Sequence, residues 1–392
     1  MLFSNPTVRS FQSAISFSVL LIFSACAANR NIAHKQTTLS QISELKYLNT
    51  YVLPHNMQFE QTTVGGLSSI DFDQQTGTYY MISDDRSHIN PARFYTAKIA
   101  VSAKGIDSVT ITGVKTLLQK DGNSYPPLTP HATRTTDPEA MRYNQATKTL
   151  VWTSEGERII SKKDTTLIDP TINIIHTDGK YADTIPLPAN LRMKLTESGP
   201  VRNGVLEGLT FADNFQTLFV SLEEPLHQDG PRANLTRNKP FVRIYRFDLR
   251  TKKNTAQYAY ELEPVALPAL KKDGYFNNGI PDILWLGQNR LLVTERSYSE
   301  GQKNVNIKVF LADMNGAQNI KSVQSLKETP AATVIQKKLL LNMDKLGIYI
   351  DNIEGATFGP VLPNGHQTIM FVADNNFNEM EQTQFMLFEV IP

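Results

Sequence analysis

The sequence predicts an all-β fold, a β-propeller of five or six blades with six preferred over five. Three observations support this. One motif recurs five times at near-constant spacing, each recurrence opens a strand–turn–strand unit, and no stretch carries a long helical period. The recurrences begin at Val64-Gly65-Gly66-Leu67-Ser68, Asp137-Pro138-Glu139-Ala140-Met141, Leu206-Glu207-Gly208-Leu209, Ile280-Pro281-Asp282-Ile283 and Ile353-Glu354-Gly355-Ala356. With Gly66, Glu139, Glu207, Asp282 and Glu354 set equivalent, they lie 73, 68, 75 and 72 residues apart. A sandwich has no reason to repeat at a fixed period, whereas stacked blades do.

Each motif leads into an alternating apolar strand, a polar turn and a second strand. The turns are Asp73-Gln74-Gln75-Thr76-Gly77, Asn144-Gln145-Ala146-Thr147-Lys148, Ala212-Asp213-Asn214-Phe215-Gln216, Gly287-Gln288-Asn289 and Leu362-Pro363-Asn364-Gly365, residue types that suit hairpins. The second strands cover 79–83, 150–154, 218–222, 290–294 and 368–373, and each stops at an acid: Asp84, Glu155, Glu223, Glu295 and Asp374. Further strand-like runs at 94–100, 172–176, 242–247, 306–311 and 385–390 bring the count to about four strands per repeat, which is one propeller blade. The strand expected over 47–53 is placed to pair with C-terminal strands and build a sixth, degenerate blade.

The N-terminus has a different character. Residues 1–25 carry a single charge, Arg9, and an apolar, small-residue stretch from Ala14 to Ala25, too short for a membrane span of about 20 residues but suited to an export signal. It closes on Leu21-Ile22-Phe23-Ser24-Ala25-Cys26, which resembles a lipobox, and Cys26 is the sole cysteine of the chain. The expectation is a lipoprotein signal peptide over 1–25, lipidation at Cys26, a polar tether over 26–45 and a folded domain over 46–392. A soluble export signal cut near Ala25 is the plainer alternative. No disulfide can hold this fold. By resemblance to lipoprotein sorting, the absence of Asp at position 27 points to the outer membrane of a bacterial envelope, facing the periplasm or the surface. Removing residues 1–25 leaves 38 basic and 38 acidic side chains, so nothing favours capture of nucleic acid.

Gly65-Gly66-Leu67-Ser68, Asp137-Pro138-Glu139-Ala140-Met141, Glu207-Gly208-Leu209, and Ile353-Glu354-Gly355 with its trailing Ala373-Asp374-Asn375-Asn376 together resemble the phytase-like domain family over about residues 50–392. The resemblance implies a propeller and esterase-like activity of the phytase type. The alkaline propeller phytases that the family name invokes use calcium ions in an acidic central cleft to hydrolyse phosphate esters.

The residues argue independently for where a site would lie. In a hairpin the residue before the first strand and the residue after the second share one end, and a blade's first strand lines the central channel. Glu139, Glu207, Asp282 and Glu354 are therefore expected to ring one mouth of the channel, backed by Asp84, Glu155, Glu223, Glu295 and Asp374. Converging carboxylates repel one another unless a cation intervenes. An all-oxygen set suits a hard ion, calcium before magnesium. The plainer reading pairs each acid with a neighbour such as Arg86, Arg142, Arg158 or Arg296 on a solvated rim. Arg86 and Arg296 follow acids in matching contexts and are candidates to hold a phosphate or carboxylate of a small anionic substrate. His88, His131 and His227 are candidate acid–base groups, equally readable as surface histidines; His34 falls in the tether.

No Gly-x-Ser-x-Gly elbow, phosphate loop, dinucleotide fingerprint or His-Glu-x-x-His is present, so hydrolysis would have to be metal-assisted, and no residue is assigned as catalytic. Two function classes remain: a calcium-dependent hydrolase of phosphate or other esters, and a non-catalytic envelope propeller that binds a ligand or protein.

Overall fold

A computed structural model describes residues 42–129, 133–163 and 165–392. Residues 1–41, with Cys26, His34 and most of the tether, lie outside the described residues, as does His131.

Five four-stranded antiparallel sheets follow one another along the chain. Their innermost strands are Leu67–Asp73, Pro138–Asn144, Leu206–Ala212, Phe276–Gly287 and Asn352–Phe358. Each turns at once into its partner, Thr78–Ser83, Thr149–Ser154, Thr217–Leu222, Arg290–Ser299 or Thr368–Asp374, as the hairpin signals require. The first, third and fourth blades are completed by the two strands that come next in the chain, and the second by Thr171–His176 and Tyr181–Ile185 after a separate hairpin, Glu157–Ile160 with Thr165–Ile168. The fifth is completed differently. Its third strand is Gln384–Ile391, and Glu44–Val52 fills the outer place, with Glu44 opposite Ile391 and Val52 opposite Gln384.

The propeller therefore has five blades, one of the two numbers expected, and the preference for six is corrected. The N-terminal strand pairs with the last strand, as the sequence leads one to expect, but it completes the fifth sheet instead of starting another. Hydrogen bonding the two ends of the chain together closes the ring and covers sheet edges that would otherwise be exposed. Helical structure among the described residues is limited to two short turns, Ala189–Leu191 and Met343–Leu346.

The inner strands are buried on both faces, and neighbouring blades pack through them. Tyr80 stacks on Tyr143 between the first and second blades at 5.0 Å, and Phe219 on Trp285 between the third and fourth at 5.3 Å. Each buried aromatic of this kind contributes roughly 1.5–3 kcal/mol by leaving water. Side chains also tie one inner strand to the next. Ser68 Oγ donates to the Glu139 carbonyl at 2.7 Å, the Tyr143 amide to Asp71 at 2.7 Å and the Trp285 amide to Thr210 at 2.9 Å.

The motif glycines answer to this close approach. A Cβ on Gly355 would lie 2.8 Å from the Ile70 amide nitrogen and from the Ser69 Cα, and one on Gly208 would lie 2.9 Å from the Ile283 nitrogen. The glycine after the acid is thus what lets one blade's backbone press against the next.

Candidate active site at the acidic mouth

Every inner strand carries a register shift near its start. In four blades it falls within the motif, between Leu67 and Ser69, Pro138 and Met141, Leu206 and Leu209, and Ile353 and Gly355. In the fourth blade it falls earlier, between Gly279 and Asp282. A bulge re-aims the side chains within it. Glu139, Glu207 and Glu354 sit inside their bulges, and all three line a cavity of about 500 Å³ at one end of the propeller axis.

Asp282 lies past its bulge and does not line the cavity. Its two carboxylate oxygens accept from Arg142 Nη2, at 2.9 and 2.6 Å, and Oδ2 also accepts the Ala356 amide at 2.7 Å. The sequence aligned Asp282 with the other three acids, but the displaced bulge turns it into the channel. There it is the counter-charge of a buried arginine.

The second-strand acids divide in the same way. Asp84 lines the cavity. Glu155 accepts from the Val205 amide, and one of its oxygens lies within 4.8 Å of carboxylate oxygens of both Asp137 and Glu139. Glu223 binds Arg296 Nη2 at 2.6 Å. Asp374 is fully buried; its Oδ1 accepts the Asn376 amide at 3.0 Å and its Oδ2 has no partner among the described residues. Glu295 stands elsewhere, held by Lys337 at 2.5 Å, Asn278 at 2.7 Å and the Tyr260 hydroxyl at 2.8 Å.

Both candidate arginines line the cavity, and both are engaged by carboxylates. Arg86 donates to Asp137, with Nε at 2.5 Å, and to Glu157 at 3.0 Å and Asn203 at 3.1 Å. Arg296 donates to Glu223, Glu354 and, at 2.6 Å, Asn352. Asp137 and Glu139 hold Arg86 charged against the cost of its burial, and Glu223, Glu354 and Glu207 do so for Arg296. His88 lines the cavity and is exposed, with its amide on Asp85 at 2.7 Å. His227 does not line it, and burial lowers its pKa.

Charge is far from balanced. Among the described residues, Asp84, Asp85, Asp137, Glu139, Glu207 and Glu354 line the cavity and Glu155, Glu223 and Asp374 back it, against Arg86 and Arg296 in its lining. Burial first, and the neighbouring carboxylates second, raise Asp84, Glu139, Glu207 and Asp374 well above the ordinary carboxylate range. The same causes push Glu155 up to about 8. Burial raises Asp137 to about 6, although Arg86 opposes it. Asp84 and Glu207 accept no hydrogen bond from any described residue, so the protein itself supplies little to stabilise their charge. Oxygen donors so arranged fit a hard divalent cation, and Asp137, Glu139 and Glu155 are the three close enough to share one.

Several residues of the mouth escaped the sequence reading, among them Asp137, Asn203, Asn352, Ile89 and Phe377. Asp137 and Asn352 had a signal. Each lies two residues ahead of a motif glutamate, and side chains two apart along a strand share a face. Phe377 had none, because its place depends on a loop that folds back over Gly65 and Gly66.

A family model described as phytase-like, esterase-like activity of phytase, matches residues 62–377. The chain belongs to this phytase-like family. No curated protein matches it. Among solved structures, the phytase-like propeller is similar to an α-L-arabinofuranosidase from Lactobacillus brevis, at 9% identity over 83% of this chain and 91% of that one, with a TM-score of 0.44. It is also similar to an exo-β-1,3-galactanase from Phanerochaete chrysosporium, at 13% identity over 87% of this chain and 64% of that one, TM-score 0.42. A periplasmic gluconolactonase from Pseudomonas aeruginosa aligns at 9% identity over 84% and 90%, TM-score 0.37.

Proposed function

We propose that this phytase-like propeller is a metal-dependent hydrolase of phosphate or other esters, working at the acidic mouth with calcium held among Asp137, Glu139, Glu155 and Glu207. The observation that carries this reading is the set of buried carboxylates that face a cavity of about 500 Å³ while Asp84 and Glu207 receive no hydrogen bond from any described residue. Such groups are costly unless neutralised. A cation bound there would supply Lewis-acid polarisation of the ester oxygen and a water of lowered pKa. The chain's own groups would do the rest. Arg86 and Arg296, on different blades, present guanidinium edges to an anionic group of the substrate, while Glu223, Glu354 and Asp137 keep those edges in place. The family description, esterase-like activity of phytase, supports the same reaction class. We further place the protein in a bacterial envelope, anchored through Cys26, with a small anionic molecule as its substrate.

A second reading has its own support. Arg86 and Arg296 are already engaged by internal carboxylates. In a non-catalytic binding propeller the cluster and its cation would serve to fix the blades.

Metal content, thermal melting and turnover separate the two. Purified protein should contain calcium, melt several degrees higher with calcium than with chelator, and turn over members of a panel of phosphate monoesters and carboxylesters. The pair Glu139→Gln and Glu207→Gln should abolish stabilisation and turnover together. Stabilisation by calcium with no ester turned over would replace the hydrolase with the binding protein. A melting temperature and activity indifferent to calcium would end the metal reading.

A further inference from the structure

The inner hairpin of the fourth blade is longer than the other four. Its strands run 12 and 10 residues, against six or seven elsewhere. The additional pairs, from Phe276 with Ser299 to Gly279 with Arg296, lie on the mouth side of the bulge, because Arg296 lines the mouth. The hairpin therefore projects past its neighbours on that side. The chain before and after it is laced at the tip. Ser299 Oγ donates to the Leu267 carbonyl at 2.5 Å, the Leu270 amide to the Glu300 carbonyl at 2.9 Å, the Tyr275 amide to Glu300 Oε2 at 3.0 Å and Gln302 Nε2 to the Pro268 carbonyl at 2.8 Å.

Of the twelve large hydrophobic side chains exposed among the described residues, five gather at this tip: Leu235, Leu267, Leu270, Tyr275 and Tyr298. Leu270 is 69% exposed, the Tyr275 and Tyr298 rings lie 6.1 Å apart, and Leu235 is brought alongside by Asn234, whose carbonyl accepts the Val265 amide at 3.0 Å. Single exposed leucines are ordinary, but a gathering of this kind marks a surface that meets something. The charges around it decide what. Lys271, Lys272 and Lys303 are all exposed beside the patch. Lys271 lies 3.6 Å from Glu300, whereas Lys272 and Lys303 have no ion pair among the described residues. The acids of the two segments are Asp273 and Glu300, and Glu300 is already engaged by Lys271 and the Tyr275 amide. Interfaces between proteins are depleted in lysine. A bilayer surface suits this mixture better: leucine enters the acyl boundary, tyrosine sits at headgroup level and lysine meets anionic lipid.

We propose that the projecting tip of the fourth blade is a docking surface for an anionic bilayer, with Leu267 and Leu270 at the acyl boundary, Tyr275 and Tyr298 among the headgroups and Lys272 and Lys303 on lipid phosphates. The proposal rests neither on the hydrolase reading of the mouth nor on a lipid at Cys26. Docking of this kind is reversible and is weakened by salt, which sets it apart from a lipid anchor. Because the backbone of the tip is laced by its own hydrogen bonds, the exposed side chains are presented without an ordering step on binding.

Co-sedimentation with lipid vesicles tests it, using the chain from Ala27 onward, which keeps every strand of the propeller and lacks Cys26. This protein should sediment with vesicles of equal parts phosphatidylcholine and phosphatidylglycerol, and about tenfold more weakly with phosphatidylcholine alone. Lys272→Gln together with Lys303→Gln should lower the affinity for the mixed vesicles by about tenfold, and added salt should act in the same direction. Leu270→Asp should abolish sedimentation with an unchanged melting temperature, since that side chain stands mostly in solvent. A chain that stays in the supernatant with mixed vesicles overturns the proposal, and so does a Leu270→Asp variant that sediments as well as the unaltered protein. A chain that ignores vesicles but is dimeric in solution, and becomes monomeric on Leu270→Asp, assigns the patch to a second copy and overturns it too.

Discussion

Arg142 of the second blade reaches Asp282 of the fourth across the propeller axis, and both side chains are 2% exposed. The same guanidinium donates to Ser69 Oγ and the Ile70 carbonyl in the first blade, each at 2.9 Å, and to the Ala356 carbonyl of the fifth at 3.1 Å. One side chain therefore links four of the five inner strands and fills the channel beneath the acidic mouth.

Removing one partner should leave the other charge buried and uncompensated. Arg142→Met is expected to cost about 3–5 kcal/mol in denaturant unfolding, whereas the double change Arg142→Met with Asp282→Leu should recover much of that loss. A single variant as stable as the unaltered protein would show that water reaches the axis and that the pair is not desolvated.

The sequence made the blades legible because period and alternation are local properties, and the acids that end the second strands marked the hairpin boundaries. Blade number was not legible in the same way. Whether Glu44–Val52 begins a sheet or completes one depends on how many strands follow Asn352–Phe358 and on closure of the ring, which is global. The candidate site was legible to the level of the motif. Glu139, Glu207 and Glu354 reached the mouth, but Asp282 was displaced by a bulge that shifts pairing without altering the apolar pattern of its strand. Glu295 left the mouth for a similar reason, since Lys337, which holds it, comes from the outer strand Gln336–Asn342.

The close approach at Gly355 gives a prediction about the motif itself. Gly355→Ala would push a methyl group against the backbone of Ser69 and Ile70 in the neighbouring blade, where no flexible side chain can yield. The expected cost is about 1–3 kcal/mol, read as a lower denaturation midpoint with little change in slope. Gly365→Ala is a useful comparison, because a Cβ there meets nothing within 4 Å although the backbone is left-handed. Gly355 is not among the glycines with positive φ, so its loss would report contact between blades, and a Gly355→Ala variant as stable as the unaltered protein would show that the two backbones separate there without cost.

Closure by the N-terminal strand bears on anchoring. Glu44 pairs with Ile391 and Val52 with Gln384, while Gln384–Ile391 itself runs antiparallel to Thr368–Asp374, which ends at the mouth. The strand thus starts at the face opposite the mouth. If Cys26 carries a lipid, as we propose, the protein is expected in the membrane fraction, and Cys26→Ser should move it to the soluble fraction. Persistence of the variant in the membrane fraction would remove the lipid anchor.

The raised acids of the mouth dictate how stability should vary with pH. Glu155 moves from an ordinary 4.5 to about 8, chiefly through burial and then through Asp137 and Glu223. Asp137 moves from 3.8 to about 6, again through burial, with Arg86 opposing. An acid that is harder to ionise when folded binds its proton more tightly in the native state than in the unfolded one. Its contribution to stability is fully present below the unfolded pKa and is lost as pH rises through the folded value. For Asp137 that loss spans about pH 4 to 6, and for Glu155 about pH 4.5 to 8. In chelator the melting temperature should therefore fall from mildly acidic to neutral pH, by on the order of 5 °C. Calcium binds the ionised carboxylates, so its stabilisation should grow over the same interval and flatten the profile. Glu155→Gln cannot ionise and should remove part of the slope in chelator. A melting temperature in chelator that is constant from about pH 5 to 8 would mean that these carboxyls titrate as ordinary solvated acids, and the case for a cation at the mouth would lose its electrostatic basis.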